Sequence, residues 1–393
     1  MKVAMVTTTG ERCGIAAYTR ALIDGLESLP ETEVEVVPIT EGRQATAHYV
    51  AQAECLNAPD ISVVHIQHEH SFWGGVLPRR PFPLRADTGY WELRYLIQKP
   101  IVVTAHTTYS LAELLRLESE TRLPKRLLKQ FLVNNVAYRE SVDIAPFITA
   151  MTIVHTAAAR NALIERGARP EYVTIVPTGI PAAVPAPMHG EAFRAQHGLQ
   201  NKRVLTIFGY IAPNKGYELT LDLLPTLPPD VVLVIAGGTR NADMEPYASQ
   251  LKARIEVSGL EDRVLITGFL ADEEVAEVMA ASDLLLVPHT QATGSYSVTF
   301  PLTHGKAILA SDLDCFREIE ARVDCLQLFK AGDPVDYRAK LLALLDDPIR
   351  RERLAANACR YAQRFSWPRV AALTRKVYEQ AFDVYSRGHH PHG

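Results

Sequence analysis

Residues 203–218 read RVLTIFGYIAPNKGYE, and the fold turns on how they are read. RVLTIF is a short apolar run of strand length. Gly209 ends it, a turn follows, and Lys215-Gly216 opens a stretch with helical spacing from about Glu218. The same alternation continues downstream. VVLVIAGG, RVLITGFL, DLLLVP and KAILAS are strand candidates, separated by EPYASQLKARIEVSG and DEEVAEVMAA, whose apolar residues recur every three or four positions. Strands apolar on both faces that alternate with helices predict a parallel sheet covered by helices.

Upstream, the pattern has already run once. KVAMVT, VEVVPI, ISVVHIQ, PIVVTAH, MTIVHT and YVTIVPTGI read as strands, with helices at IAAYTRALIDGLESL and RLLKQFLVNNVAYRESV. Between the halves lies PTGIPAAVPAPMHG, rich in Pro, Gly and Ala, the best linker candidate. The expected fold is therefore α/β, with two Rossmann-like parallel-sheet domains facing each other across a cleft lined by strand carboxyl ends, where ligands of such sheets bind. The domains are read as 1–180, a linker over 181–200, and 201–365. The last helix, 366–386, packs back on the first domain, with Ser366 as its N-cap and Pro368 in its first turn.

The 393 residues, 47% hydrophobic and 22% charged, suit two ordinary cores, and a net charge of −4 gives no reason to expect a nucleic-acid partner. The basic clusters RRPFPLR and RLPKRLLKQ read as solvated faces, with peripheral contact to acidic lipids as the alternative. Cys13, Cys55, Cys315, Cys325 and Cys359 are odd in number and lack CxxC spacing, so they read as reduced thiols of a cytoplasmic protein. MKVAMVTTTG reads as a first buried strand, not a signal peptide, and RGHHPHG as a disordered tail.

Four loops after strands carry the candidate chemistry. In TTTGERCGIAAYT, Gly10 and Gly14 permit tight turns before a helix start that attracts oxyanions; a plain turn is the alternative. In HIQHEHSFWGG, the trio His65, His68 and His70 invites a zinc reading. Strand geometry sends His65 and His68 to opposite faces, so a polar strand end facing an acceptor, with His68 and Glu69, is preferred. His106, in VVTAHTTY, is placed to bond a sugar hydroxyl or move a proton, or else is a satisfied structural histidine. Lys215 is the point charge suited to a diphosphate, although the spacing is not that of a Walker loop.

CGIAAYT, HIQHE with WGG, VVTAHT, VPTGIP, FGYIAPNKG, ITGFLADEEVAEVMAASDLLLVP, GKAILASD and FSW, in this order, resemble the family-4 (group 1) glycosyltransferases of GT-B fold. The resemblance implies a retaining transfer of a hexosyl group from a nucleotide-diphosphate sugar to an acceptor, here an unknown glycan, lipid-linked sugar, peptide or small molecule. It implies a front-face mechanism and no cofactor or metal. Lys215 then matches the phosphate lysine and His106 the histidine at the donor sugar. Gly14 and Gly209 are donor-loop glycines, Gly237, Phe269 and Leu270 fall near the nucleoside, and Gly294, Ser295 and Tyr296 form the loop at the diphosphate.

Three departures stand out. The family's phosphate arginine is Tyr210 here, and its paired glutamates fall near Ala292 and Phe300. The loop TQATGSYSVTF therefore reads as a subtype without those carboxylates, in which Thr293, Ser295, Ser297 and Thr299 supply hydroxyls instead, or are simply helix-start and surface residues. A non-catalytic sugar-nucleotide-binding protein and a GT-B sugar-nucleotide epimerase are the alternatives to an active transferase.

Overall fold

The computed structural model describes residues 1–10, 13–74, 77–79, 85–108, 150–182, 190–240, 242–292 and 294–387. The helix read over 126–142, both basic clusters in large part, and most of the RGHHPHG tail lie outside these. The chain divides into two compact units, Met1–Gly179 with Trp367–Gly393, and Ile180–Ser366.

The first unit holds strands β1 (Lys2–Thr7), β2 (Glu33–Pro38), β3 (Val63–His68), β6 (Ile101–Ala105), β7 (Met151–Val154) and β8 (Val173–Ile175), all parallel, in the order β2-β1-β3-β6-β7-β8. A small antiparallel pair, β4 (Leu77–Arg79) and β5 (Arg85–Asp87), lies apart from it. Strands β3, β6 and β7 are buried along their whole length. That is why they lack the alternation of half-exposed strands. The helix Trp367–Ser386 starts directly after Ser366, with Pro368 in its first turn, and packs on the helix Gly14–Glu27. Their approach is close: a Cβ on Gly25 would lie 3.0 Å from the Trp367 carbonyl oxygen.

The second unit is a parallel sheet of β9 (Arg203–Phe208), β10 (Val231–Ala236), β11 (Val264–Ile266), β12 (Leu284–Val287), β13 (Ile308–Ser311) and β14 (Gln327–Phe329), in the order β11-β10-β9-β12-β13-β14. Within the stretch read as linker, Gly190–Gln196 is a helix. It buries Phe193, and Arg194 bonds Asp283, the Ala281 carbonyl and the Lys202 carbonyl. At the other end of this unit the Ile180 N–H donates to the Phe365 carbonyl (2.8 Å).

In each sheet the chain starts centrally, adds strands to one side, then crosses to the other. The switch falls between β1 and β3 in the first unit and between β9 and β12 in the second. At such points the loops leaving the strands' carboxyl ends diverge and open a crevice. In the second unit those are the loops containing Lys215 and residues 288–297.

Close approach fixes the first of them. Gly216 is left-handed (φ 72°), and a Cβ there would sit 1.9 Å from the Pro288 carbonyl oxygen. Gly14, by contrast, begins its helix with open space around it. Gly216→Ala is therefore expected to lower unfolding stability by ~2 kcal/mol or more. Gly14→Ala is expected to leave stability unchanged or raise it by up to ~1 kcal/mol. Chemical denaturation of both variants compares them directly.

Candidate active site

The second unit gathers its polar groups where β9 and β12 part. Lys215 ends the one-turn 3-10 segment Pro213–Lys215 and projects its part-buried ammonium toward the β12 loop. There Nζ donates to Ser297 Oγ (2.9 Å) and His289 Nε2 (3.1 Å). Ser295 Oγ closes the cluster, 2.9 Å from Ser297 Oγ and 3.3 Å from His289 Nε2. Two backbone ties hold the loops in register: the Thr290 N–H donates to the Asn214 carbonyl (3.0 Å), and Asn214 Nδ2 to the Gln291 carbonyl (3.2 Å).

Among the described residues no carboxylate pairs with Lys215. Desolvation brings its pKa down from the usual 10.5 to about 8. His289, 3% exposed, is held well below its ordinary value by burial and then by the Lys215 charge. Its Nδ1 is buried without a partner among the described residues. A desolvated cation beside hydroxyls and a neutral imidazole is a place for an anion.

The remaining second-unit candidates ring this cluster. A Cβ on Gly209 would lie 3.1 Å from Ser297 Cβ and 3.5 Å from Lys215 Nζ, so the glycine lets the lysine lie along the strand end. Gly237 passes against Gly209, where a Cβ would be 2.1 Å from the Gly209 carbonyl oxygen, and donates its N–H to Thr267 Oγ1 (3.2 Å). Phe269 is 57% exposed and stacks on Tyr210 with ring centroids 6.5 Å apart, while Leu270 packs into the core. Gly294, Ser295 and Tyr296 precede the short helix Thr299–Thr303. Thr293 lies outside the described residues.

Phe300 packs on Phe208 (4.8 Å) and Tyr296 (5.9 Å), and Ala292 lies against the same apolar cluster. A carboxylate at either position would face hydrocarbon. Glu318 pairs with Arg322 one turn along its helix (3.6 Å). The sequence reading missed His289, whose only signal is its place after the apolar run DLLLVP.

In the first unit, His106 follows β6 and its Nε2–H donates to Gln67 Oε1 (2.8 Å). The Gln67 amide nitrogen, only a donor, reaches His65 Nε2 (3.3 Å), which also accepts from Thr104 Oγ1 (2.7 Å). The His65 proton therefore sits on Nδ1, bonded to the Tyr378 oxygen (2.7 Å) in the last helix. This chain leaves His106 Nδ1 as a hydrogen-bond acceptor. Tyr18 packs edge-on to His106 (5.0 Å), and His155 lies 5.8 Å away. His65 is thus fully engaged. His68 is 2% exposed among Trp73, Tyr90 and His70, and Glu69 accepts from Thr107 Oγ1.

Residues 190–361, most of the second unit, match the family model "Glycosyl transferases group 1". Over these residues the chain is similar to the group 1 glycosyltransferases, and its two parallel sheets have the GT-B fold. A D-inositol 3-phosphate glycosyltransferase of Thermobispora bispora is 27% identical over 338 residues, 81% of this chain and 76% of that protein. A phosphatidyl-myo-inositol mannosyltransferase of Mycobacterium leprae is 31% identical over 183 residues, covering 45% of this chain and 46% of that one. The crystal structure of Anabaena HepE in complex with UDP and glucose superposes with a TM-score of 0.72 at 17% identity, over 97% of this chain and all of that one. Among the described residues no helix is long and apolar enough to cross a membrane.

Two pH-dependent outcomes follow from this geometry. A lysine whose folded pKa is lowered holds its proton less tightly than in the unfolded chain. Its charge therefore weakens the fold below about pH 8, and that loss is relieved as pH rises toward 10.5. Lys215→Met is expected to raise the stability of the second unit at neutral pH by ~1–3 kcal/mol, read by hydrogen exchange of its amides. In the first unit, burial lowers the pKa of His65 to about 3 and of His70 to about 4, and lowers those of His68, His106 and His155. The unfolded chain takes up those protons near pH 6.5 and the folded one does not. Stability should fall as pH drops below 6.5, by up to ~1.4 kcal/mol per pH unit for each histidine. Trp73, Trp91 and Trp367 all lie in the first unit, so tryptophan fluorescence in urea at neutral and mildly acid pH reports this directly.

Proposed function

We propose that the protein is an active, retaining hexosyltransferase that uses a nucleotide-diphosphate sugar, with Lys215 in place of a metal ion as the cation at the leaving diphosphate. The observation that carries this reading is the desolvated Lys215 ammonium, without a carboxylate among the described residues, at the switch point of the second sheet. Stabilising charge on a departing phosphate needs a preorganised cation in a water-poor site. The HepE structures, which hold UDP, UDP with glucose, or UDP-glucose, support a nucleotide-sugar donor for this fold. The names of the curated relatives support transfer to an acceptor.

In this reading the bond from the anomeric carbon to the diphosphate oxygen breaks as the acceptor hydroxyl approaches from the same face. The departing phosphate oxygen takes the acceptor proton, so no protein base is required. Lys215, with the Ser295 and Ser297 hydroxyls, receives the diphosphate, and Gly209 and Gly294 keep its approach open. The Tyr210–Phe269 stack, Gly237 and Leu270 form the nucleoside end. Tyr296 borders the sugar, and the Nδ1 acceptor of His106 in the first unit suits a sugar hydroxyl. Gly14 is a donor-loop glycine, and Glu69 belongs to the acceptor side, where His68 backs the loop from the core. No cofactor enters beyond the donor.

The test is a screen of UDP-, GDP-, ADP- and dTDP-linked sugars by thermal shift and by hydrolysis without acceptor, with and without EDTA. One donor is expected to bind and release its nucleoside diphosphate in chelator, and Lys215→Ala is expected to lose roughly 10²–10³ in kcat. Undiminished turnover by Lys215→Ala, or an inverted product anomer, would sink the reading. Binding with neither hydrolysis nor transfer would favour a non-catalytic role, and donor interconversion without an acceptor an epimerase.

A further inference from the structure

We propose that His289 is a second anion-binding residue, which takes up a proton from solvent when a nucleoside diphosphate binds, so that an imidazolium joins the Lys215 ammonium against the phosphates. This rests on the reading of the β9–β12 crevice as the diphosphate site.

Three observations carry it. His289 Nε2 lies 3.1 Å from Lys215 Nζ, and the Ser295 hydroxyl, 3.3 Å from Nε2, is bonded to the Ser297 hydroxyl that Lys215 holds. An anionic oxygen that displaces the Nζ–Nε2 hydrogen bond has both nitrogens as neighbours. Next, the unliganded arrangement fixes the tautomer. The ammonium donates to Nε2, so the imidazole proton is on Nδ1, a buried nitrogen with no partner among the described residues. A buried donor left unmatched marks a site arranged for something besides its own stability. Third, no negative charge among the described residues makes two adjacent cations tolerable. The groups facing His289 are Lys215 from the β9 loop, Ser295 from its own loop, and the Phe316 ring, edge-on at 5.5 Å. The acids of the Phe316 helix are engaged elsewhere, Asp314 with Arg317, Glu318 with Arg322, and Glu320 with the Leu326 N–H.

Without ligand, then, one of the two nitrogens must stay neutral. Burial and the neighbouring ammonium both hold the imidazole in that state. A nucleoside diphosphate brings more than one negative charge. It accepts hydrogen bonds from Nζ and from a protonated Nε2 and reverses the electrostatic cause of neutrality. The charges balance: the ligand arrives as an anion, solvent supplies a proton, and the imidazolium stays opposite the phosphate.

The test is calorimetric titration of the whole protein with UDP, GDP, ADP and dTDP at about pH 7, in buffers of different protonation enthalpy, with the imidazole nitrogens of His289 followed by NMR. Near this pH Lys215 is already largely charged, so its contribution to uptake is small. The expected result is uptake approaching one proton per nucleotide bound, and movement of the His289 resonances from neutral imidazole to imidazolium. His289→Gln is expected to bind roughly tenfold more weakly and to lose the uptake. Binding without uptake, with the ring still neutral, overturns the inference and leaves the diphosphate reading standing. Failure of all four nucleotides to bind overturns both. The spectrum of the unaltered protein decides the matter even if His289→Gln folds poorly.

Discussion

An ammonium removed from water without a carboxylate partner costs free energy, and the loops of the second unit are organised around holding one there. Gly209 lacks a side chain because Lys215 and Ser297 occupy the space beside it. Gly216 is left-handed because the Pro288 carbonyl lies where a Cβ would be. Gly237 is bare because the Gly209 carbonyl passes against it. Each glycine removes a methyl group from a contact between loops that leave different strands. Together they bring the ends of β9, β10 and β12 to a spacing at which one lysine reaches the histidine and serine of the β12 loop. The same charge paired with a carboxylate would be cheaper to bury but would no longer seek an anion.

One buried polar chain of the first unit is built in the opposite way. From Tyr378 through His65 and Gln67 to His106 its groups are neutral and matched donor to acceptor. The amide of Gln67 sets the direction of the chain, since its nitrogen only donates and its oxygen only accepts. The last helix is part of this arrangement through Tyr378, so the end of the chain helps decide which nitrogen His106 presents. A neutral acceptor of fixed orientation suits a sugar hydroxyl, whereas a desolvated cation suits phosphate.

Much of this was legible in the sequence because it is written locally. Buried parallel strands are continuous apolar runs, and the restart at RVLTIF shows a second sheet. Lys215 announces itself as a lone cation between a strand end and a glycine. What was hidden depends on distant contacts. His289 carries no motif, and its importance comes from Lys215, 74 positions earlier. Tyr378 and His65 are 313 positions apart. The helix at Gly190–Gln196 lies in a stretch whose prolines and glycines read as linker; its stability comes from Arg194 bonding to Asp283, which no local pattern records. Strand β14, Gln327–Phe329, is three residues long and opens on a polar one, too short to show a period.

Ala292 and Phe300 give the absence of carboxylates in the β12 loop a structural meaning. Were the loop simply eroded, polar gaps would be expected where the acids had stood. Instead Phe300 fills its position against Phe208 and Tyr296, and Ala292 lies against the same core. The apolar packing lets the Thr299–Thr303 helix seat firmly, with Thr303 Oγ1 bonded back to the Thr299 carbonyl (2.8 Å). It also keeps negative charge away from Lys215, and a cation unopposed by local acids draws more strongly on an anion. The hydroxyls that stand beside the cation instead are Ser297, which accepts from Lys215, and Ser295, which is bonded to Ser297. A loop rebuilt in this way leaves the Lys215 charge among hydroxyls and a neutral imidazole, with no carboxylate partner among the described residues.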